Sequence, residues 1–315
     1  MSFDLKALTS AVQQHGRVVR VVVAGIKGSV PREVGASMLV WEDGQSGTIG
    51  GGALELDASN RARQALEEKR SDWVVNVPLG PRLGQCCGGA VTLLSEFYDA
   101  SGVSGLSDKL VLRQVSGAAE IPLKINRQLS DARNSGIPIK PQLVDGWMLE
   151  PISAPSRQLW IYGAGHVGRA LVSVLEPLPD TEITWLDSNV DRYPDQISSD
   201  INQLVAGNPA ELVKFAPPDA EHLVLTYSHA LDLEICHRLL SHGFKSAGLI
   251  GSKTKWARFR GRLRSLGHTD AQIDRIDCPI GQTALGKHPQ AIAVGVAAEF
   301  LSAAKLAEKL HSRVG

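Results

Sequence analysis

Two adjacent thiols, Cys86 and Cys87, stand between glycines in the segment Leu83-Gly84-Gln85-Cys86-Cys87-Gly88-Gly89. A thiolate is a soft metal ligand and a sulfur nucleophile, so such a pair suits a soft transition metal or persulfide handling. A disulfide between neighbours would close a strained ring, which favours two thiols with at least one exposed on a loop. The competing reading is a pair of plain structural cysteines. Cys236, beside Leu233 and Leu239 in a helical stretch, reads as core, and Cys278 before Pro279 stays open.

Glycines supply the second kind of chemistry. Gly50, Gly51 and Gly52 immediately precede a helical composition, and three glycines allow a backbone path and a ligand approach that side chains block. They read as an anion cradle, with Lys27 and Arg32 as nearby positive charge, or as a flexible strand-to-helix connection. Gly163, Gly165 and Gly168 follow a strand and open a helix, and Asp187 ends the next strand. That is the dinucleotide-type G-x-G-x-x-G context: a tight turn, close backbone approach to a phosphate, and close helix packing. Asp187 reads as an acceptor for a ribose-like hydroxyl, and His166 as a ligand contact or a solvent-facing residue. His229, with Asp232 one turn on, reads as a general acid or base with its orienting carboxylate, or as a plain helix start. Gly251-Ser252-Lys253-Thr254 lacks the full P-loop pattern, and the basic run Lys255, Arg258 and Arg262 reads first as a solvated helix face.

Elements that would hold these residues follow from periodicity. Leu5, Leu8 and Val12 predict a short helix, Val18 to Ile26 a buried strand, Ala36 to Trp41 a second strand, and Ala53 to Lys69 a helix. Strands follow near Trp73 to Val77 and Ala90 to Leu94. From Gln158 short apolar strands alternate with helices, ending in a long helix near Pro289 to Leu310, which predicts a parallel sheet covered on both faces. The fold expectation is α/β: an N-terminal mixed α/β domain over 1–98, a poorly patterned connecting region over 99–157, and a Rossmann-like doubly wound parallel-sheet domain over 158–315. The linker is expected near Glu150 to Arg157.

Composition narrows the classes. The 315 residues are 43% apolar and 21% charged, a folded-chain balance, and 33 Lys plus Arg match 33 Asp plus Glu. No global field favours nucleic acid or an anionic membrane surface, and basic residues do not interleave with aromatics. Four cysteines at odd spacings do not form a disulfide framework. With no apolar leader core and no long apolar stretch, the expectation is a cytoplasmic protein that engages neither nucleic acid nor membrane. A homodimer is the default oligomer.

GSVPREVGASMLV at 28–40, GTIGGGALE at 47–55, LGPRLGQCCGG at 79–89 and GAGHVG at 163–168 together resemble the xanthine dehydrogenase accessory protein family, of the XdhC and CoxI type. TYSHALDLEI at 226–235, LIGSKTKWARF at 249–259 and CPIGQTALGKHPQAIAVGVAAE at 278–299 extend the similarity over nearly the whole chain, residues 99–155 excepted. The resemblance implies a carrier, not an enzyme turning over a metabolite. Such proteins bind molybdenum cofactor, the molybdopterin complex, help it acquire a terminal sulfur through a cysteine desulfurase, and deliver it to apo xanthine dehydrogenase. Carried over by position, the cofactor-binding candidates are Gly50, Gly51, Gly52, Gln85, Cys86, Cys87, Gly88 and Gly89, then Gly163, Gly165, His166, Gly168, Asp187 and His229. Cys86 and Cys87 would face the metal end. Two alternatives stay open: an NAD(P)-dependent oxidoreductase with a dinucleotide at the second turn, using Asp187 on the ribose and His229 as acid or base, and a docking scaffold that binds no ligand.

Overall fold

A computed structural model describes residues 2–80, 88–107, 109–152, 157–178 and 181–314. The chain forms two compact units, Met1–Ala154 and Pro155–Gly315.

The first unit runs α1 (Leu5–His15), β1 (Val18–Lys27), β2 (Ser37–Val40), β3 (Gln45–Gly47), α2 (Gly52–Glu68), β4 (Trp73–Pro78), β5 (Ala90–Tyr98), α3 (Ala100–Ser104), β6 (Leu110–Gln114), α4 (Leu123–Ser135), β7 (Gln142–Val144) and β8 (Trp147–Pro151). A five-stranded antiparallel sheet has the order β3-β2-β1-β5-β4. Its central strand β1 is buried on both faces, which explains its almost unbroken β-branched run. Val19, Val21 and Val23 pack with Leu54, Ala58 and Ala62 of α2, while Val18 on the other face meets Leu8 and Val12 of α1. Residues 99–152, expected to be a poorly patterned connection, carry a second antiparallel sheet of order β6-β8-β7 and the 13-residue α4, inside the first unit.

The second unit continues with β9 (Arg157–Tyr162), α5 (His166–Leu175), β10 (Thr181–Asp187), β11 (Ile201–Val205), β12 (Glu221–Val224), α6 (His229–His242), β13 (Ser246–Leu249), α7 (Lys253–Ser265), α8 (Asp270–Ile273), β14 (Ile276–Asp277) and α9 (Pro289–Val314). All six strands are parallel in the order β11-β10-β9-β12-β13-β14, the doubly wound arrangement with its switch point between β9 and β12. α5 and α9 cover one face through Leu171, Leu175, Ala293 and Phe300; α6 and α7 cover the other through Ile235, Leu239, Phe259 and Leu263. The expected fold class is the observed one. The two-residue β14 escaped the sequence reading because it is too short to show a period.

Under that second face His222 is 1% exposed, opposite Trp160 in the β9–β12 register and 5.9 Å from the Tyr162 ring. Burial, reinforced by His242 and opposed by Glu221, drives its pKa from 6.5 down to about 3. The folded state therefore holds a neutral imidazole, and stability is lost as pH falls from the unfolded value toward the folded one. The expected slope is up to about 1.4 kcal/mol per pH unit, read by urea unfolding at about pH 7 and about pH 4.5, with His222→Phe flattening it. Equal pH slopes in the two proteins would show that His222 does not set the pH dependence of stability.

Candidate functional site

In the second unit the chain leaves β9 through Gly163, whose φ of +125° and contact with the Leu225 carbonyl oxygen leave no room for a side chain. An ideal Cβ on Gly168 would overlap the Gly163 carbonyl oxygen, so the third glycine is what lets α5 pack onto the turn. Gly165 differs. It is extended, caps α5 without a side-chain bond to the first amides, and faces open space except for Arg192 Nη2, 3.9 Å from an ideal Cβ. The turn lies at the switch point, where parallel sheets of this kind take their ligands.

Asp187 is not the free hydroxyl acceptor expected from its position. It is 4% exposed; its Oδ2 accepts from the Ala164 N–H at 2.6 Å and from Arg192 Nε at 3.1 Å, and its Oδ1 accepts from the Ser188 N–H at 2.6 Å. The carboxylate locks the glycine turn and holds an arginine. That arginine lies 4.3 Å over the Tyr227 ring, and Tyr227, just beyond β12, is 66% exposed. Arg169 donates to the Arg192 carbonyl and fixes the loop from below.

His166 is exposed on the first turn of α5, and His229 is exposed at the start of α6, edge-on to Phe259. The expected His229–Asp232 pair is not formed. Asp232 is fully buried: its Oδ1 accepts from the N–H and hydroxyl of Thr226 at 2.9 and 2.7 Å, and its Oδ2 accepts from Lys255 Nζ at 2.6 Å. Lys255 thereby leaves the basic face of α7. Arg260 and Arg264 pair with Asp270, and Arg258 and Arg262 remain exposed.

In the first unit Gly50, Gly51 and Gly52 have φ of +127°, +71° and +61°, so the turn does need its glycines. Its amides, however, already hold an anion. Glu55, one turn into α2, accepts through Oε2 from the Gly51 N–H at 3.0 Å, the Ile49 N–H at 3.2 Å and the Thr48 hydroxyl at 2.6 Å. The three glycine segments of this unit meet. Gly28 abuts Gly89, Gly50 abuts Pro31 of the same loop, and Gly89 is pressed against the Lys27 and Ser29 carbonyl oxygens. Gly88 is exposed and Gly89 is buried. Gln85, Cys86 and Cys87 lie outside the described residues. Lys27 is exposed, while Arg32 pairs with its neighbour Glu33 at 3.7 Å.

Of the other cysteines, Cys236 is core, where burial pushes its thiol well above the ordinary value; burial raises Cys278 to about 11 against the pull of Lys255. Neither is a thiolate near neutral pH. Sequence reasoning missed Glu55, Arg192 and Tyr227. Glu55 had a readable signal, an acid placed to reach back to a helix start. Arg192 and Tyr227 meet only once the sheet has formed.

Comparison with known proteins agrees with this architecture. Residues 11–77 match the model described as XdhC and CoxI family, and residues 159–300 match the one described as XdhC Rossmann domain. The Escherichia coli (strain K12) protein named Molybdenum cofactor insertion chaperone PaoD is 25% identical over 317 residues, covering 95% of this chain and 87% of its own length. Uncharacterized protein YqeB of the same organism is 25% identical over 280 residues; the match takes in 87% of this chain but spans only 41% of YqeB. The crystal structure titled as a xanthine dehydrogenase (BH1974) from Bacillus halodurans shares the fold, with a TM-score of 0.72, 20% identity and 95% of each chain covered. No helix among the described residues is long and apolar enough to cross a membrane. With one of its models on each structural unit, the chain belongs to the XdhC and CoxI family.

Proposed function

We propose that this protein carries molybdenum cofactor in the cytoplasm, holds it while a cysteine desulfurase provides its terminal sulfur, and passes it to an apo molybdoenzyme of the xanthine dehydrogenase type. The cofactor is an anionic pyranopterin phosphate whose metal is bound by soft sulfur. In the second unit the open backbone at Gly165 beside the Arg192 guanidinium suits a phosphate, and the sequence supplies Cys86 and Cys87 as soft thiols of the kind such a metal takes.

The observation that carries the reading is the state of Asp187. A dinucleotide oxidoreductase needs that carboxylate for the ribose, whereas here both oxygens serve the protein itself. Among the described residues no carboxylate bonds to His229, and Asp232 is committed to Thr226 and Lys255. Sequence similarity over most of its length to PaoD, a protein named as a molybdenum cofactor insertion chaperone, supports the same reading.

The test is to produce the chain in a host that makes molybdenum cofactor, purify it, denature it, and measure the fluorescence of the oxidised pterin released. A signal approaching one pterin per chain is expected, reduced in the Cys86→Ala, Cys87→Ala double variant if the thiols hold the metal end. Pterin-free protein that instead binds NADH or NADPH saturably would overturn the carrier in favour of the oxidoreductase.

A further inference from the structure

We propose that Arg192 and Tyr227 select the ligand of the second unit's glycine turn: Arg192 offers a forked guanidinium to a phosphate beside Gly165, and Tyr227 stacks the flat heteroaromatic ring attached to it. The proposal rests on the carrier reading and extends it to two side chains.

Arg192 is an anchored arginine. Its Nε donates to Asp187 Oδ2 at 3.1 Å, and Asp187 cannot rotate away, because the Ala164 and Ser188 N–H groups hold its two oxygens. Its backbone carbonyl is held by Arg169, and its guanidinium carbon lies over the Tyr227 ring, 4.3 Å from the centroid. These contacts use Nε and one face. Among the described residues Nη1 and Nη2 donate to no acceptor, and Nη2 stands 3.9 Å from the ideal Cβ position of Gly165. The two outer N–H edges are therefore held in place and open to solvent, the side chain being 33% exposed, beside the turn glycine that has open space in front of it. Planar paired donors match two oxygens of a phosphate, which a lysine cannot do.

The charge of Arg192 is already balanced by Asp187, so the fork supplies direction more than bulk attraction. That suits discrimination among anions better than general anion capture. Tyr227 completes the pair from across the switch point. A phenol ring 66% exposed at the carboxyl end of a central strand is a large apolar surface left in water. A flat ring stacked on it would cover that surface, and stacking of this kind tolerates any fused heteroaromatic. The ligand class is a phosphate-bearing flat heteroaromatic; a pterin phosphate meets it without a ribose to be held by Asp187, and a dinucleotide is the competing occupant that the test separates.

Wild type, Arg192→Gln, Arg192→Lys, Tyr227→Leu and Tyr227→Phe are purified from the cofactor-producing host, and retained pterin is measured after checking folding by thermal unfolding. Each apo protein is then titrated with inorganic phosphate and with NADPH. Arg192→Gln is expected to weaken binding roughly tenfold to a hundredfold, with Arg192→Lys failing to rescue it. Tyr227→Leu is expected to weaken it about tenfold, and Tyr227→Phe to restore it. Phosphate alone should raise the unfolding temperature of wild type and not of Arg192→Gln. Pterin retained equally by all five proteins would overturn this proposal and spare the carrier. Absent pterin with an Arg192-dependent NADPH or phosphate response would overturn the carrier and spare this proposal. Absent pterin with no Arg192-dependent response overturns both.

Discussion

Glu150→Ala is expected to destabilise the first unit by about 3–5 kcal/mol, the usual consequence of leaving a buried charge without its partner. Glu150 is fully buried, as is Arg20 at 1% exposure, and the two are joined bidentately at 2.7 and 3.0 Å. Arg113 donates to the same carboxylate at 2.6 Å and grips Glu96, which also takes an Arg20 contact at 3.4 Å. Two guanidinium groups and two carboxylates thus close a neutral quartet, roofed by the Phe3 ring 4.2 Å from the Arg20 guanidinium. The four residues come from β1, β5, β6 and β8, so the quartet is the bolt between the two sheets of the unit. Burial would raise the Glu150 pKa, but Arg20 and Arg113 override it and hold the group below the ordinary carboxylate range. Its stabilisation is therefore present above the unfolded pKa and lost as pH falls through the folded one. Urea unfolding of Glu150→Ala measures the loss, and a change below about 1 kcal/mol would show that the quartet relaxes without it. The double variant Arg20→Met, Glu150→Leu should lose less than the sum of its single changes, because it removes two facing charges together.

Arg20 also shows what a sequence discloses and what it withholds. The run VVRVVVAGI announces a buried strand, and the strand is there, but the single charge inside it says only that partners must exist. Those partners lie 76 and 130 residues away, in elements of which one is invisible to periodicity. Residues 99–152 look unpatterned because their strands are three to five residues long and most of their side chains are only half buried; α4 buries only Ile125. Short strands in a small sheet produce no alternation long enough to read. The glycine turn is legible for the opposite reason. Backbone sterics at Gly163 and Gly168 admit one residue type, so the requirement is written in single letters. The amides of both turns were readable as anion holders, but not that Glu55 and Asp187, acids of the same chain, already engage part of them. That depends on side-chain reach after folding, and it is why the proposed ligand contact rests on Gly165 and Arg192 and not on the glycines at large.

Gly168→Ala and Gly165→Ala, three residues apart, are expected to fail in different ways. A Cβ at Gly168 meets the Gly163 carbonyl oxygen, which is backbone and part of the turn that Asp187 locks, so α5 has to move off the sheet. Overpacking of this kind should remove roughly 3 kcal/mol from the second unit. At Gly165 the backbone is extended, a conformation any residue adopts, and the new methyl group meets nothing closer than Arg192 Nη2 at 3.9 Å. Its effect on stability should be within about 0.5 kcal/mol. If a phosphate approaches the backbone at Gly165, that same methyl group stands in its path, and retained pterin should fall severalfold in a protein that unfolds like wild type. Measuring urea stability and pterin content on both variants separates the glycine that builds the turn from the one that leaves it open. Full pterin content in Gly165→Ala would mean the ligand does not come to this face of the turn. Wild-type stability in Gly168→Ala would mean that α5 does not need its close approach to the turn.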